Sequence, residues 1–226
     1  MLGILSAGIA PGLSILIYFY LKDEYEAEPV SFVFKVFISG SLLVFPIMFI
    51  QYVLEMEGLV QTPLAHAFIS AAFMEEFFKW FVLFYIVYKH AEFDEPYDGI
   101  VYGAAVSLGF ATAENILYLF VHGLETAVGR ALLPVSSHAL FGVMMGYYLG
   151  KGKFSAGNNR KWLYLSFALP FLLHGIYDYI LLSIDIWVLF LVPFMIFLWW
   201  LALRKAKMAR LLTMRTSSHS KKTLPL

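Results

Sequence analysis

The chain has 226 residues, 61% of them hydrophobic and 14% charged, with a mean hydropathy of +0.75. That balance excludes an ordinary soluble domain and indicates an integral membrane protein. Sixteen basic against sixteen acidic side chains leave no net field to attract nucleic acid, and the absence of cysteine excludes disulfides, thiolate metal sites and a cysteine nucleophile.

A bilayer core needs about 20 apolar residues per helix, and windows of that kind follow one another along the chain. The first, residues 2–21, has no Lys or Arg and so lacks the positive flank of a cleavable signal; it reads as a retained helix. After the short acidic loop 22–29 comes a second window, 33–54, and then a third, 64–88, which carries Glu75, Glu76 and Lys79. A second acidic loop, 89–98, leads into window 98–120 with Glu114 and Asn115; both acidic loops read as solvated. Windows 131–150, 161–183 and 186–203 complete the series, the fifth holding His138 and the sixth His174 and Asp178. Prolines 46, 134, 170 and 193 lie in or at the mouths of spans and are expected kinks. The expected fold is therefore all-α, a polytopic transmembrane bundle of about seven spans. It forms one membrane domain, 1–207, followed by a basic tail, 208–226, expected to be flexible and cytoplasmic. No internal repeat is visible.

The charge pattern orients the bundle. Alternating the loops between two sides puts thirteen basic residues, including the Lys151, Lys153, Arg160, Lys161 cluster, on one side and only Arg130 on the other. Positive charge marks the cytoplasmic side, so the N-terminus is expected outside and the C-terminus inside.

Ionisable groups cost about 2.5 kcal/mol or more each at a lipid-exposed helix centre, so those in the third to sixth spans must face inward and partner one another. By the helical rise, Glu75, Glu114, His138, His174 and Asp178 fall in one layer roughly 8 to 17 Å below the outer ends of their windows. Glu75 with Lys79 and His174 with Asp178 are i,i+4 pairs, and Glu76 with Lys79 is i,i+3, each pair on one helix face. Glu75 and Glu76 point about 100° apart, which assigns them different tasks. Taken singly, each pair could be a structural ion pair, His138 a hydrogen-bonded core histidine, and Asn115 an interhelical hydrogen-bonding group. Taken together they supply a base, an acid and a charged stabiliser, the requirements of peptide hydrolysis. No H-E-x-x-H zinc helix, G-x-S-G serine loop or G-x-G-D aspartate signature occurs. A proton- or ion-coupled transporter is the alternative, although it would favour internal symmetry.

The ordered set E-E-x-x-K (Glu75, Glu76, Lys79), F-x-x-x-E-N (Phe110, Glu114, Asn115), His138 and H-x-x-x-D (His174, Asp178) resembles the PrsW family of intramembrane proteases, itself related to the CAAX-protease and bacteriocin-processing superfamily. The likeness covers nearly the whole chain, including ILSAGIAPG at the start, FDEPYDGIVYGA entering the fourth span, ALLPVSSHAL and FLWW. It implies a protease of the bacterial cytoplasmic membrane that makes the first, extracytoplasmic-side cut in a single-pass anti-sigma factor, leading to release of a stress-response sigma factor. It further implies Glu75 as the base activating water, with His174 or His138 sharing the proton. Glu76 and Lys79 would orient it, Glu114 and Asn115 would complete the pocket with Asn115 a donor to the oxyanion, and Asp178 would orient His174. The prenyl-processing branch spaces its glutamates differently and has His where this chain has Glu114, so prenyl substrates are not expected. His138 and His174 lack a compact ligand motif, so no metal cofactor is expected, with zinc left open because Glu/His sets also bind it. The lipid bilayer is the surrounding partner, and the oligomeric state is not readable from the sequence.

Overall fold

The structure, a computed structural model, describes residues 1–155, 157 and 159–223, with side chains through Met214. Among these residues there is no strand. Seven helices follow the seven windows: α1 (Leu2–Leu21), α2 (Val30–Met56), α3 (63–87), α4 (Asp98–His122), α5 (Leu124–Phe154), α6 (Asn159–Ser183) and α7 (Trp187–Thr223). Six are long and apolar enough to cross a bilayer; α3 differs because Glu75, Glu76 and Lys79 interrupt its apolar run. Helix α7 continues through the segment expected as a tail, as helical backbone up to Thr223, and residues 224–226 lie outside the described residues.

The prolines expected to kink their spans behave differently from one another. Helix α2 breaks at Leu43, between Val30–Leu42 and Val44–Met56, three residues before Pro46. Pro134 cannot donate to the carbonyl four residues back, and Ala131–Val135 widens into a π-turn there. Pro170 and Pro193 are carried inside α6 and α7. Helix α3 opens on a side-chain cap, Thr62 Oγ1 accepting from Ala65 N at 3.1 Å with Pro63 at the first position. It then alternates geometry: π over His66–Phe73, α over Met74–Val82, π again over Leu83–Val87.

Helix α4 is the axis of the bundle, packing on α1, α2 and α5, while α5 in turn packs on α6 and α7. Its close approach to α5 depends on absent side chains, since a Cβ at Gly103 would run into the Gly142 carbonyl oxygen and one at Gly142 into the Gly103 carbonyl. Side chains such as Tyr97, Tyr102, Phe141 and Leu108 fill the interior, while Phe34, Phe45, Phe49 and Phe197 point outward as expected of a lipid-facing surface. Helix α6 packs against the first π segment of α3 and α5 lies beside it, so the four helices that carry the polar residues are neighbours.

Candidate active site

Helix α3 contributes the centre. Lys79 is fully buried, and its Nζ lies 2.8 Å from Glu76 Oε1, 3.3 Å from Glu75 Oε2 and 3.2 Å from His138 Nδ1. The ammonium also rests 4.2 Å from the centroid of the Phe110 ring, an α4 face that favours a cation in low dielectric. The two adjacent glutamates diverge as their angular separation requires. Glu76 has no exposed surface and turns toward α6, where its Oε1 meets His174 Nδ1 at 3.0 Å. Glu75 turns toward open space, with Gln51 Nε2 from α2 3.4 Å from its Oε1 and His138 Nε2 3.9 Å from its Oε2.

His138 Nε2 lies 3.3 Å from Glu114 Oε2 of α4, and Glu114 Oε1 is 3.3 Å from Arg130 Nη2 of α5. His174 Nε2 is 3.2 Å from Asp178 Oδ2, its own i,i+4 partner, and the imidazole stacks on Phe141 with centroids 5.0 Å apart. Aromatic stacking and hydrogen bonds on both ring nitrogens fix the orientation of that ring. The two imidazoles, 5.1 Å apart between centroids, stand nearly perpendicular. One network thus joins Glu75, Glu76, Lys79, Glu114, His138, His174 and Asp178 across four helices.

The network borders a cavity of about 300 Å³. Glu75, Glu114, His138, His174 and Asp178 line it, and its mouth is flanked by the exposed pair Glu55 and His66, 2.8 Å apart. Asn115 stands apart from these: its Nδ2 donates to Gly8 O of α1 at 3.1 Å and its Oδ1 accepts from Arg130 Nε at 3.2 Å. The amide therefore ties α1 to α4 and holds Arg130, rather than pointing into the cavity. Several lining residues were not among the expected site residues, among them Gln51, Arg130 and Tyr177. Arg130 sits over the Tyr118 ring at 4.2 Å, and the buried Tyr177 hydroxyl has no hydrogen-bond partner. A signal for Arg130 did exist, since it is the lone basic residue among the loops of its side.

The description PrsW family intramembrane metalloprotease matches residues 28–202. The chain belongs to the PrsW family. Proteins named Protease PrsW are 63% identical to it over 210 residues in Geobacillus kaustophilus (strain HTA426), covering 93% of each chain, and 60% identical over 215 residues in Bacillus subtilis (strain 168), covering 95% of this chain and 99% of that one. A more distant one from Clostridioides difficile (strain 630) is 32% identical over 225 residues, covering 95% and 91%. No solved structure matches the chain. As a member of the PrsW family the protein is a multi-pass membrane protease, and the transporter reading is set aside.

The PrsW family description includes a metal, and the side chains fit one. Glu75, Glu76, His138 and His174 each present a donor atom within 4.8 Å of the others, all four buried. Two carboxylates with two imidazoles suit zinc and neighbouring transition ions. Glu76 Oε2 is enclosed without a hydrogen-bond partner, an orphaned acceptor of the kind a metal would satisfy. Lys79 already contacts three of the four residues, so its ammonium competes with any second cation for them.

Proposed function

We propose that the protein makes the first, extracytoplasmic-side cut in a single-pass membrane anti-sigma factor, with Glu75 as the base that activates water. One observation carries this reading: seven ionisable side chains from four helices form one network, and five of them line a single cavity. The positive-inside pattern puts the cavity mouth, at Glu55 and His66, on the outer side. That is the side from which a juxtamembrane segment of a single-pass substrate would enter.

Of the two adjacent glutamates, Glu75 lines the cavity and is the one water can reach, whereas Glu76 is sealed between Lys79 and His174. Glu75 takes a proton from the attacking water as its oxygen bonds to the scissile carbonyl carbon. His138, between Glu75 and Glu114, is placed to carry that proton to the leaving amine as the carbon–nitrogen bond breaks. Arg130 and the unpartnered Tyr177 hydroxyl are the cavity-lining donors for the oxyanion. Asn115 supports them indirectly by positioning Arg130. Asp178 and Glu76 fix His174 from opposite nitrogens, and Lys79 holds the two glutamates in register. Glu75, Glu76, His138 and His174 would hold the family's metal, and what such an ion supplies when bound is Lewis-acid polarisation of the carbonyl and a more acidic water.

The test is cleavage of a single-pass reporter, bearing an anti-sigma-factor span and outer juxtamembrane segment, by purified protein in proteoliposomes. Wild type is expected to cut near the outer membrane face, and Glu75→Gln to bind the reporter without cutting. Cutting by well-folded Glu75→Gln at the wild-type rate would remove Glu75 as base. Metal analysis of wild type beside His138→Ala and His174→Ala tests the ligand set separately.

A further inference from the structure

A second buried cluster of acids lies far from the first. Asp98 begins α4, and Glu114 follows sixteen residues later on the same helix, about 24 Å along its axis. At the Asp98 end, carboxylate oxygens of Asp23, Glu28 and Asp98 lie within 4.8 Å of one another, with Glu28 and Asp98 buried.

The three acids have polar neighbours but, among the described residues, no counter-ion. Asp98 Oδ2 accepts from the backbone nitrogens of Asp94 at 2.9 Å and Glu95 at 2.6 Å, and Glu28 accepts from the Tyr102 hydroxyl. The other oxygen of Asp98, on a side chain with no exposed surface, has no hydrogen-bond partner, and neither oxygen of Asp23 has one. Among the described residues no ion pair reaches the three acids: Lys153 Nζ is engaged by the Phe93 and His90 carbonyls, and Arg210 pairs with Glu24.

We infer that Asp23, Glu28 and Asp98 form a second cation site, for a hard divalent ion such as Mg²⁺ or Ca²⁺, that clamps the α1–α2 loop onto the start of α4. All the donors are oxygens and none is nitrogen or sulfur, which selects magnesium, calcium or manganese over zinc. Tyr20 reinforces the same junction, its hydroxyl donating to the Glu28 carbonyl at 2.8 Å. The inference stands independently of the protease mechanism, because it uses none of the active-site groups.

Terbium is the probe, since it replaces Ca²⁺ at oxygen sites and Tyr20 and Tyr102 are placed to sensitise it. Full-length protein in nanodiscs carrying Glu75→Gln, His138→Ala and His174→Ala removes the other acidic cluster as a source of signal. Terbium emission on tyrosine excitation, competed away by Mg²⁺ or Ca²⁺, is expected in that background and lost on adding Asp23→Asn and Glu28→Gln. Mg²⁺ or Ca²⁺ at a hundredfold excess over Kd should shift the wild-type folding equilibrium about a hundredfold. Should the double substitution fail to fold, the wild-type response alone decides. Emission that survives the substitutions in folded protein, or wild-type stability that responds to acid but to neither cation, overturns the inference.

Discussion

Glu75 and Glu76 are neighbours in sequence with the same functional group, yet the structure gives their amide variants opposite signatures. Glu76→Gln removes the closer counter-ion, 2.8 Å from Lys79, at a position with no exposure at either partner. Removing one partner of a buried ion pair costs about 3 kcal/mol at the low end, the end that applies because Lys79 keeps Glu75 at 3.3 Å. At roughly 2–4 °C per kcal/mol for a chain of this size, the thermal midpoint should fall by about 6–12 °C. Glu75→Gln removes a more distant counter-ion, at 3.3 Å, from a side chain 11% exposed at the cavity, and Lys79 keeps Glu76. Its midpoint should move by less than half as much, while cleavage falls by about 100- to 10,000-fold, the usual contribution of a general base. Removing both members in Glu76→Gln/Lys79→Met should recover part of the lost stability without recovering activity, because the incompletely paired buried ammonium is gone. Thermal unfolding in one detergent, run beside proteoliposome cleavage of a single-pass reporter, checks all three proteins. Equal midpoint losses for the two single amides, or a double variant less stable than Glu76→Gln, would refute the assignment of the two carboxylates.

Tyr177→Phe removes only a hydroxyl without a hydrogen-bond partner, so initial-rate assays should show kcat reduced about 100-fold with an unchanged thermal midpoint. Gly142→Leu drives a side chain into the Gly103 carbonyl and should sharply lower the amount of folded protein in membranes, whereas Gly129→Ala, with nothing within 4 Å, should be neutral or stabilising by about 0.5–1 kcal/mol in thermal unfolding. Without divalent cations, stability should fall as pH rises. Asp23 and Glu28 bind protons more tightly folded than unfolded, so the loss begins near their ordinary values of 3.8 and 4.5 and is complete above about 6 and about 7. Midpoints measured across that range in chelator, for wild type and Asp23→Asn/Glu28→Gln, should show the slope in the first and a weaker slope in the second.

The residues that were legible in the sequence are those whose placement depends on helical spacing alone. Lys79 with both glutamates and His174 with Asp178 pair as the i,i+3 and i,i+4 rules dictate, and the cost of charge in lipid turns α3 to α6 toward one another. Contacts set by helix rotation and packing were not legible. Asn115 presents its amide to Gly8 because α1 crosses α4 there, and no local pattern encodes that crossing. Glu28 and Asp98 sit in segments whose composition reads as solvated loop; their burial arises only when Tyr20, Tyr97 and Tyr102 close over the end of the bundle. The π-turns of α3 are likewise hydrogen-bonding choices that apolar sequence does not specify.

Those wide turns limit how this segment can evolve. Because one lies on each side of Met74–Val82, losing a single amino acid from either would let the rod rewind to ordinary pitch and swing the charged stretch by about 100° relative to its anchor. Apolar substitutions at the segment's outward-facing positions, such as Ile69 and Phe73, should be tolerated. Changes in the number of residues should not, and a deletion scan through 66–73 would be far more damaging than an alanine scan of the same stretch.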